Sequence, residues 1–166
     1  MNSIIEGLSY ISMIETIFLL ASLIYAFYLW FTGALPVIVR IGNGLAKRKI
    51  ALFASGDNVN SLKTLLTDSG LFRDKNIIVV TRKEDLGRAE NASVYLVHWH
   101  DSANYVDEIL RTKHNECPMI VYSPYNMPRI PDEQMVNLDG KRHTAVTQFR
   151  GRLLNDIVTS MITTNL

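Results

Sequence analysis

His98, Trp99, His100 and Asp101 hold the densest side-chain chemistry in this sequence. Two imidazoles and a carboxylate are ligand types for a metal such as zinc, which takes four ligands in a structural site and three in a catalytic one. The spacing does not complete such a set. His98 and His100 share a face only if a strand runs through both, and Cys117 and His114 fall at the start of a later strand. The residues predict a strand-end histidine at His98 and a helix cap from Asp101 or Ser102, with no metal. The order of serines, histidines and acids defines no nucleophilic triad, so no residue is assigned a catalytic role.

Two further stretches have the composition of anion sites. Ser55-Gly56-Asp57-Asn58 precedes a helical pattern, so its backbone N–H groups meet a helix N-terminus and Gly56 permits close approach. The competing reading is a plain N-cap by Asp57 or Asn58. Arg150-Gly151-Arg152 places two cations where the last helix begins. Cations there oppose the helix dipole unless an anion meets them, and phosphate suits paired arginines. The competing reading is pairing with Asp57, Asp101 or Asp156, or with another protomer.

These stretches must be positioned by a sheet. Strand-length apolar runs alternate with helical patterns: KIALFAS with NVNSLKTLLTDSG, NIIVV with the short polar RKEDLGRAE, and SVYLVHW with SANYVDEILRTKH. PMIVYSP is followed by a loop-like stretch containing Pro128, Pro131 and Gly140, and TAVTQF by GRLLNDIVTSMIT. Five such units predict an α/β domain, a five-stranded parallel Rossmann-like sheet with helices on both faces. Leu62, Leu65 and Leu66 form one helical stripe, closed by Gly70 as C-cap, and Leu153, Leu154, Ile157, Val158 and Met161 form another. Ligands of open α/β sheets bind beyond the carboxyl ends of the strands. The ligand-binding candidates on that edge are Ser55, Gly56, Asp57, Asn58, His100, Ser123, Arg150 and Arg152; Tyr125 and Asn126 follow Ser123.

Ahead of this domain, Thr16–Val39 carries no charge. As a helix its roughly 24 residues reach roughly 36 Å, enough to cross a hydrocarbon core of about 30 Å. Tyr25, Phe27, Tyr28, Trp30 and Phe31 form an aromatic belt, and Gly33 and Pro36 loosen its exit. A cleaved signal peptide is the competing reading; the run is long for its apolar region, no basic cluster precedes it and no small-residue cleavage site ends it, which favours a span. Arg40, Lys47, Arg48 and Lys49 follow the run and no Lys or Arg precedes it. The expected organisation is an anchor and basic connector over 1–48, with a hinge at Gly42 to Gly44, and a cytoplasmic domain over 49–166. That is a single-pass inner-membrane protein with its N-terminus outside. The basic flank also suits anionic headgroups. Seventeen Lys and Arg against sixteen Asp and Glu leave a net charge of +1, so a nucleic-acid partner is not indicated. The single Cys117 excludes an intramolecular disulfide framework and a Cys-rich zinc module.

In element order from Lys49 to Thr163, the domain resembles the flavodoxin-like superfold and, within it, receiver-like and TIR-like domains. The receiver resemblance implies an acidic pair after the first strand, where this chain has Ala54 and Ser55. It implies an aspartate phosphoacceptor where this chain has His98, and a lysine where it has Thr147 or Gln148; Ser123 matches the receiver hydroxyl. A TIR-like hydrolase needs a glutamate near the third-strand exit, for which Glu84, Glu90 and Glu108 are available. The first loop lacks the hydroxyl-rich pattern for flavin phosphate. An anchor joined to such a stripped domain also resembles membrane effectors of bacterial antiphage signalling. Together these features predict a membrane-anchored, cofactor-free, non-enzymatic sensor or effector. It would bind a nucleotide-like ligand or protein partner and act as a homo-oligomer or within a membrane complex. The alternatives are a membrane-tethered TIR-like nucleotide hydrolase and a structural docking subunit. The topology has a direct check. A cysteine at position 165, in a chain whose Cys117 is replaced by serine, is expected to resist an impermeant thiol reagent in intact cells; ready labelling reverses the orientation.

Overall fold

A computed structural model describes residues 13–33 and 48–164. The chain divides into two units, Met1–Gly42 and Asn43–Leu166. In the first, Met13–Gly33 forms helix α1, 21 residues long and exposed along its length. It is long and apolar enough to cross a membrane. Its described residues start three before the charge-free run expected at Thr16; residues 34–39 of that run, with Pro36, and also Arg40, the hinge at Gly42 to Gly44 and Lys47 lie outside the described residues.

The second unit is the expected α/β domain. Strands β1 (Ile50–Phe53), β2 (Ile77–Val80), β3 (Val94–His98), β4 (Met119–Tyr122) and β5 (Thr144–Thr147) form one parallel sheet in the order β2-β1-β3-β4-β5. This is the flavodoxin-like order, with its switch point between β1 and β3. β1, β3 and β4 are buried along their whole length, whereas edge strand β5 is mostly not. Strands buried on both faces need no polar alternation, which is why their sequences are continuous apolar runs.

Helices α2 (Gly56–Asp68) and α6 (Arg150–Thr163) cover one face. Leu62 and Leu66 of α2, and Leu153, Ile157 and Met161 of α6, pack there with Ile50, Leu52, Leu96 and Ile120. On the other face α4 (Val106–Thr112) and α5 (Asp132–Asp139) bring Val106, Ile109, Leu110 and Leu138 to Phe53, Tyr95, Val97 and Met119. A short α3 (Trp99–Ser102) turns the chain out of β3.

Glycines serve both ends of α2. Gly56 has φ +54°, which sets the turn from β1 into the helix, and Gly70, at φ +69°, follows the C-cap Ser69. Side chains with a Cβ rarely adopt this conformation. The polar stretch after β2 is a 3₁₀ run, Lys83–Ala89, that buries only Ala89.

One expectation is corrected. The stretch after β4, expected as loop, contains α5, which starts directly after Pro131. Asp132 and Glu133 in its first turn suit the helix dipole. Only Leu138 of the eight residues is buried, so no apolar stripe announces the helix.

The face under α6 is expected to dominate stability. Leu153→Ala leaves a cavity at a fully buried position, and urea denaturation of the detergent-solubilised chain should show a loss of about 2–5 kcal/mol. Ile162→Ala, at a position 52% exposed, should stay within about 0.5 kcal/mol of the parent.

Candidate functional site

The parallel sheet carries every strand exit to one edge. At its switch point the organising group is Asp101. Its carboxylate accepts a hydrogen bond from the Ser55 backbone N–H at 2.8 Å and from Asn58 Nδ2 at 3.1 and 3.2 Å. Ser55 is the N-cap residue of α2 and makes no side-chain cap of its own. A carboxylate from the β3 exit therefore caps α2, the place where a helix N-terminus favours an anion. Ser102 adds a second tie, its hydroxyl donating to Phe53 O at 3.4 Å. The expected roles differ accordingly. Ser102 is the N-cap residue of the following 3₁₀ turn, Ala103–Tyr105, but its side chain, like that of Asp101, binds back to the β1 exit instead of capping it, and neither Asp57 nor Asn58 is the N-cap of α2.

His98 ends β3 fully buried, and the helical turn of α3 begins at Trp99, so His98 and His100 do not share a strand face. The His98 ring lies edge-on to Tyr122, with centroids 5.9 Å apart, and 6.2 Å from the His100 ring. His98 Nδ1 is 3.1 Å from Asp101 Oδ2, but its N–H direction departs too far from that line to form a hydrogen bond. Burial holds the imidazole below its ordinary pKa of 6.5, and the Asp101 carboxylate offsets part of that effect. Among the described residues no cluster of three His, Cys, Asp or Glu side chains has the placement of a metal site. The glutamates considered for hydrolysis lie elsewhere. Glu108, on α4, pairs with Lys83 at 2.5 Å; Glu84 is in the 3₁₀ run after β2; Glu90 precedes β3 and lies toward the opposite edge.

The arginines after β5 are engaged within the domain. Arg150 donates to the hydroxyl of Ser61 at 2.6 Å and to its carbonyl at 2.8 Å, clamping α6 to α2. Arg152 lies 3.8 Å from Asp156, one of the pairings anticipated for it.

A second grouping forms beyond β4 and β5. The Ser123 N–H donates to Thr147 O at 3.0 Å, extending the ladder one residue past β4 and holding the two exit loops side by side. The first loop turns at once, Met127 N–H donating to Pro124 O at 3.0 Å, so Tyr125 projects from the turn. Phe149, the N-cap residue of α6, projects from the other loop. The two rings are nearly parallel, 13° apart, with centroids separated by 6.2 Å. They are 75% and 58% exposed, which is unusual for two large aromatic side chains in contact. Beside them lies a concavity of about 380 Å³ lined by Ser123, Tyr125, Met127, Arg129 and Gln148. A second, of about 270 Å³, is lined by Gln148, Phe149, Arg152, Asp156 and Met135.

The eight candidate residues thus separate. Ser55 and Asn58 bind Asp101, Gly56 and Asp57 lie between them in the first turn of α2, and His100 in α3 has its ring near that of His98. Ser123 and Arg152 line the two concavities, and Arg150 joins helices. Phe149, Gln148 and Arg129 were not among the candidates. The available signal was an aromatic residue just past each of two neighbouring strands. No protein-family model, no curated protein and no solved structure matches this chain.

Two outcomes test the switch-point geometry. Asp101→Ala leaves the Ser55 N–H and the Asn58 amide without their acceptor and should destabilise the domain by about 1–3 kcal/mol in denaturant titration. His98 also sets a pH dependence. Its folded pKa lies below the unfolded value, so the unfolded chain binds the proton more readily. Its contribution is fully present above about pH 6.5 and is lost as pH falls through the lower folded-state pKa. Replacing His98 by Asn should flatten the fall of the thermal midpoint below that pH.

Proposed function

We propose that this chain is a membrane-anchored, non-enzymatic sensor or effector whose Rossmann-like domain binds a nucleotide-like ligand over the exits of β4 and β5. The observation that carries this reading is the exposed Tyr125–Phe149 stack beside a concavity of about 380 Å³. Small-molecule sites occupy about 300–1,000 Å³ and place a few polar groups against apolar walls. Exposed aromatic faces take flat rings, each stacked base contributing about 1–3 kcal/mol. Ser123 and Gln148 offer hydrogen bonds to ring edges, and Arg129 offers a charge-assisted bond to a phosphate. Helix α1 supports the anchored part of the reading, and the basic residues after the apolar run favour a cytoplasmic side for the domain. The engagement of Asp101 in capping α2 favours a binding role over hydrolysis at the β3 exit.

Calorimetric titration of the detergent-solubilised full chain with mono-, di- and cyclic nucleotides tests the reading. At least one is expected to bind. Tyr125→Ala or Phe149→Ala should weaken it by about fivefold or more, the equivalent of about 1 kcal/mol, while Tyr125→Phe retains it. Arg129→Ala should remove the preference for a nucleotide over its nucleoside. Absence of binding across the series, or alanine variants that bind like the parent, would sink the assignment.

A further inference from the structure

The strand entrances form the edge opposite the aromatic stack, and they are tied into one surface. Lys49 O accepts from Ser93 N–H at 2.8 Å, Pro118 O from Tyr95 N–H at 2.9 Å, and His143 O from Met119 N–H at 2.8 Å. Lys113 Nζ donates to Cys117 O at 2.8 Å and to Arg142 O at 3.0 Å, lacing the β4 and β5 entrances together. Arg48 donates to the carbonyl of Met161 in the last turn of α6, which fixes the start of the domain on this edge. A rigid edge holds its outward charges in a fixed pattern.

That pattern is cationic. Lys49, Arg73, Lys75, Lys141 and Arg142 are exposed there, and none forms an ion pair with a carboxylate among the described residues. Five carboxylates share the edge. Asp74 is already paired with Lys63 at 2.7 Å, Glu116 faces His143 at 3.8 Å, and Asp68, Glu90 and Asp139 remain. Elsewhere most cations are spent: Lys83 on Glu108, Arg88 on Asp85, Arg150 on Ser61 and Arg152 on Asp156. Leu71, 40% exposed, stands two residues from Arg73 and adds an apolar contact to the cationic edge.

We propose that this amino edge docks on anionic lipid headgroups. The inference rests on the reading that α1 spans a membrane. Between Gly33 and Arg48 lie fourteen residues, at most roughly 50 Å of extended chain. An inserted helix therefore keeps the Arg48 end of the domain within that reach of the bilayer surface, and the Arg48–Met161 bond makes that end the cationic edge. The local concentration of headgroups is high there, so weak individual contacts suffice. Each exposed cation near an anionic surface raises the docking equilibrium by roughly a factor of five. A net charge of +1 over the whole chain gives no general polyanion field, which favours a tethered headgroup surface over free nucleic acid.

The test uses the full chain in vesicles whose headgroups carry a quencher, either phosphatidylcholine alone or phosphatidylcholine with phosphatidylglycerol. A dye on Asn91→Cys reports the amino edge and a dye on Asn126→Cys the carboxyl edge. Cys117 is buried, and burial pushes its thiol up to about 11, so it labels slowly. Resistance to alkaline extraction from both vesicle types tests the span separately; loss of the protein from both sinks the anchor and the docking together. With the span intact, the Asn91→Cys dye is expected to quench only on phosphatidylglycerol, and the Asn126→Cys dye on neither. High salt and the combined Arg73→Gln, Lys75→Gln, Lys141→Gln and Arg142→Gln variant should each reduce the docked fraction, the variant lowering the docking equilibrium by about tenfold or more. Equal quenching on neutral and anionic vesicles, or an equal loss from Arg82→Gln with Lys83→Gln, overturns docking while leaving the anchor. So does single-stranded RNA binding that the four substitutions abolish, if vesicles give no quenching.

Discussion

The carboxyl edge of this domain depends on one carboxylate. Asp101, at the β3 exit, accepts from the Ser55 backbone and the Asn58 side chain, so the two loops that flank the switch point are bound to each other. An α/β sheet of this order opens a crevice at that point, and a helix N-terminus there attracts an anion. Here the anion is part of the chain. The buried His98 stands 3.1 Å from it, in surroundings that favour the neutral ring. Neutral imidazole and ionised carboxylate can share this space without requiring a buried positive charge.

Filling the switch point shifts the open surface sideways along the same edge. The Ser123–Thr147 bond aligns the exits of β4 and β5, and two aromatic side chains that a core would normally absorb face solvent together. Arg150, which the dipole argument would assign to a bound phosphate, finds the hydroxyl and carbonyl of Ser61 instead. Its cost at a helix N-terminus is offset by these two acceptors on α2. The two sheet edges therefore differ in character: one has an aromatic stack and concavities, the other unpaired cations on laced strand entrances.

The sequence determined the sheet. Runs such as IALF, VYLV and MIVY have no polar alternation because both of their faces are covered, and that pattern alone implies parallel strands with helices on each side. The stripes Leu62–Leu66 and Leu153–Ile157–Met161 were legible for the same reason, since helical periodicity and burial coincide. The charge-free run before the domain was equally plain, because a bilayer-length helix needs only composition. Helix α5 was not legible: one buried leucine gives no period, and the signal that remained, Pro131 followed by two acids, is shared with many turns.

Tertiary structure decided the partners. Whether Asp101 caps its own helix or one forty-odd residues earlier depends on the β1–β3 adjacency, which local spacing does not contain. The same holds for Arg150 and Ser61, separated by 89 residues, and for Tyr125 and Phe149, brought together by the β4–β5 ladder. Burial and periodicity are properties of a segment, so sequence specifies them. Hydrogen-bond and stacking partners are properties of a pair, and only the folded chain chooses the pair.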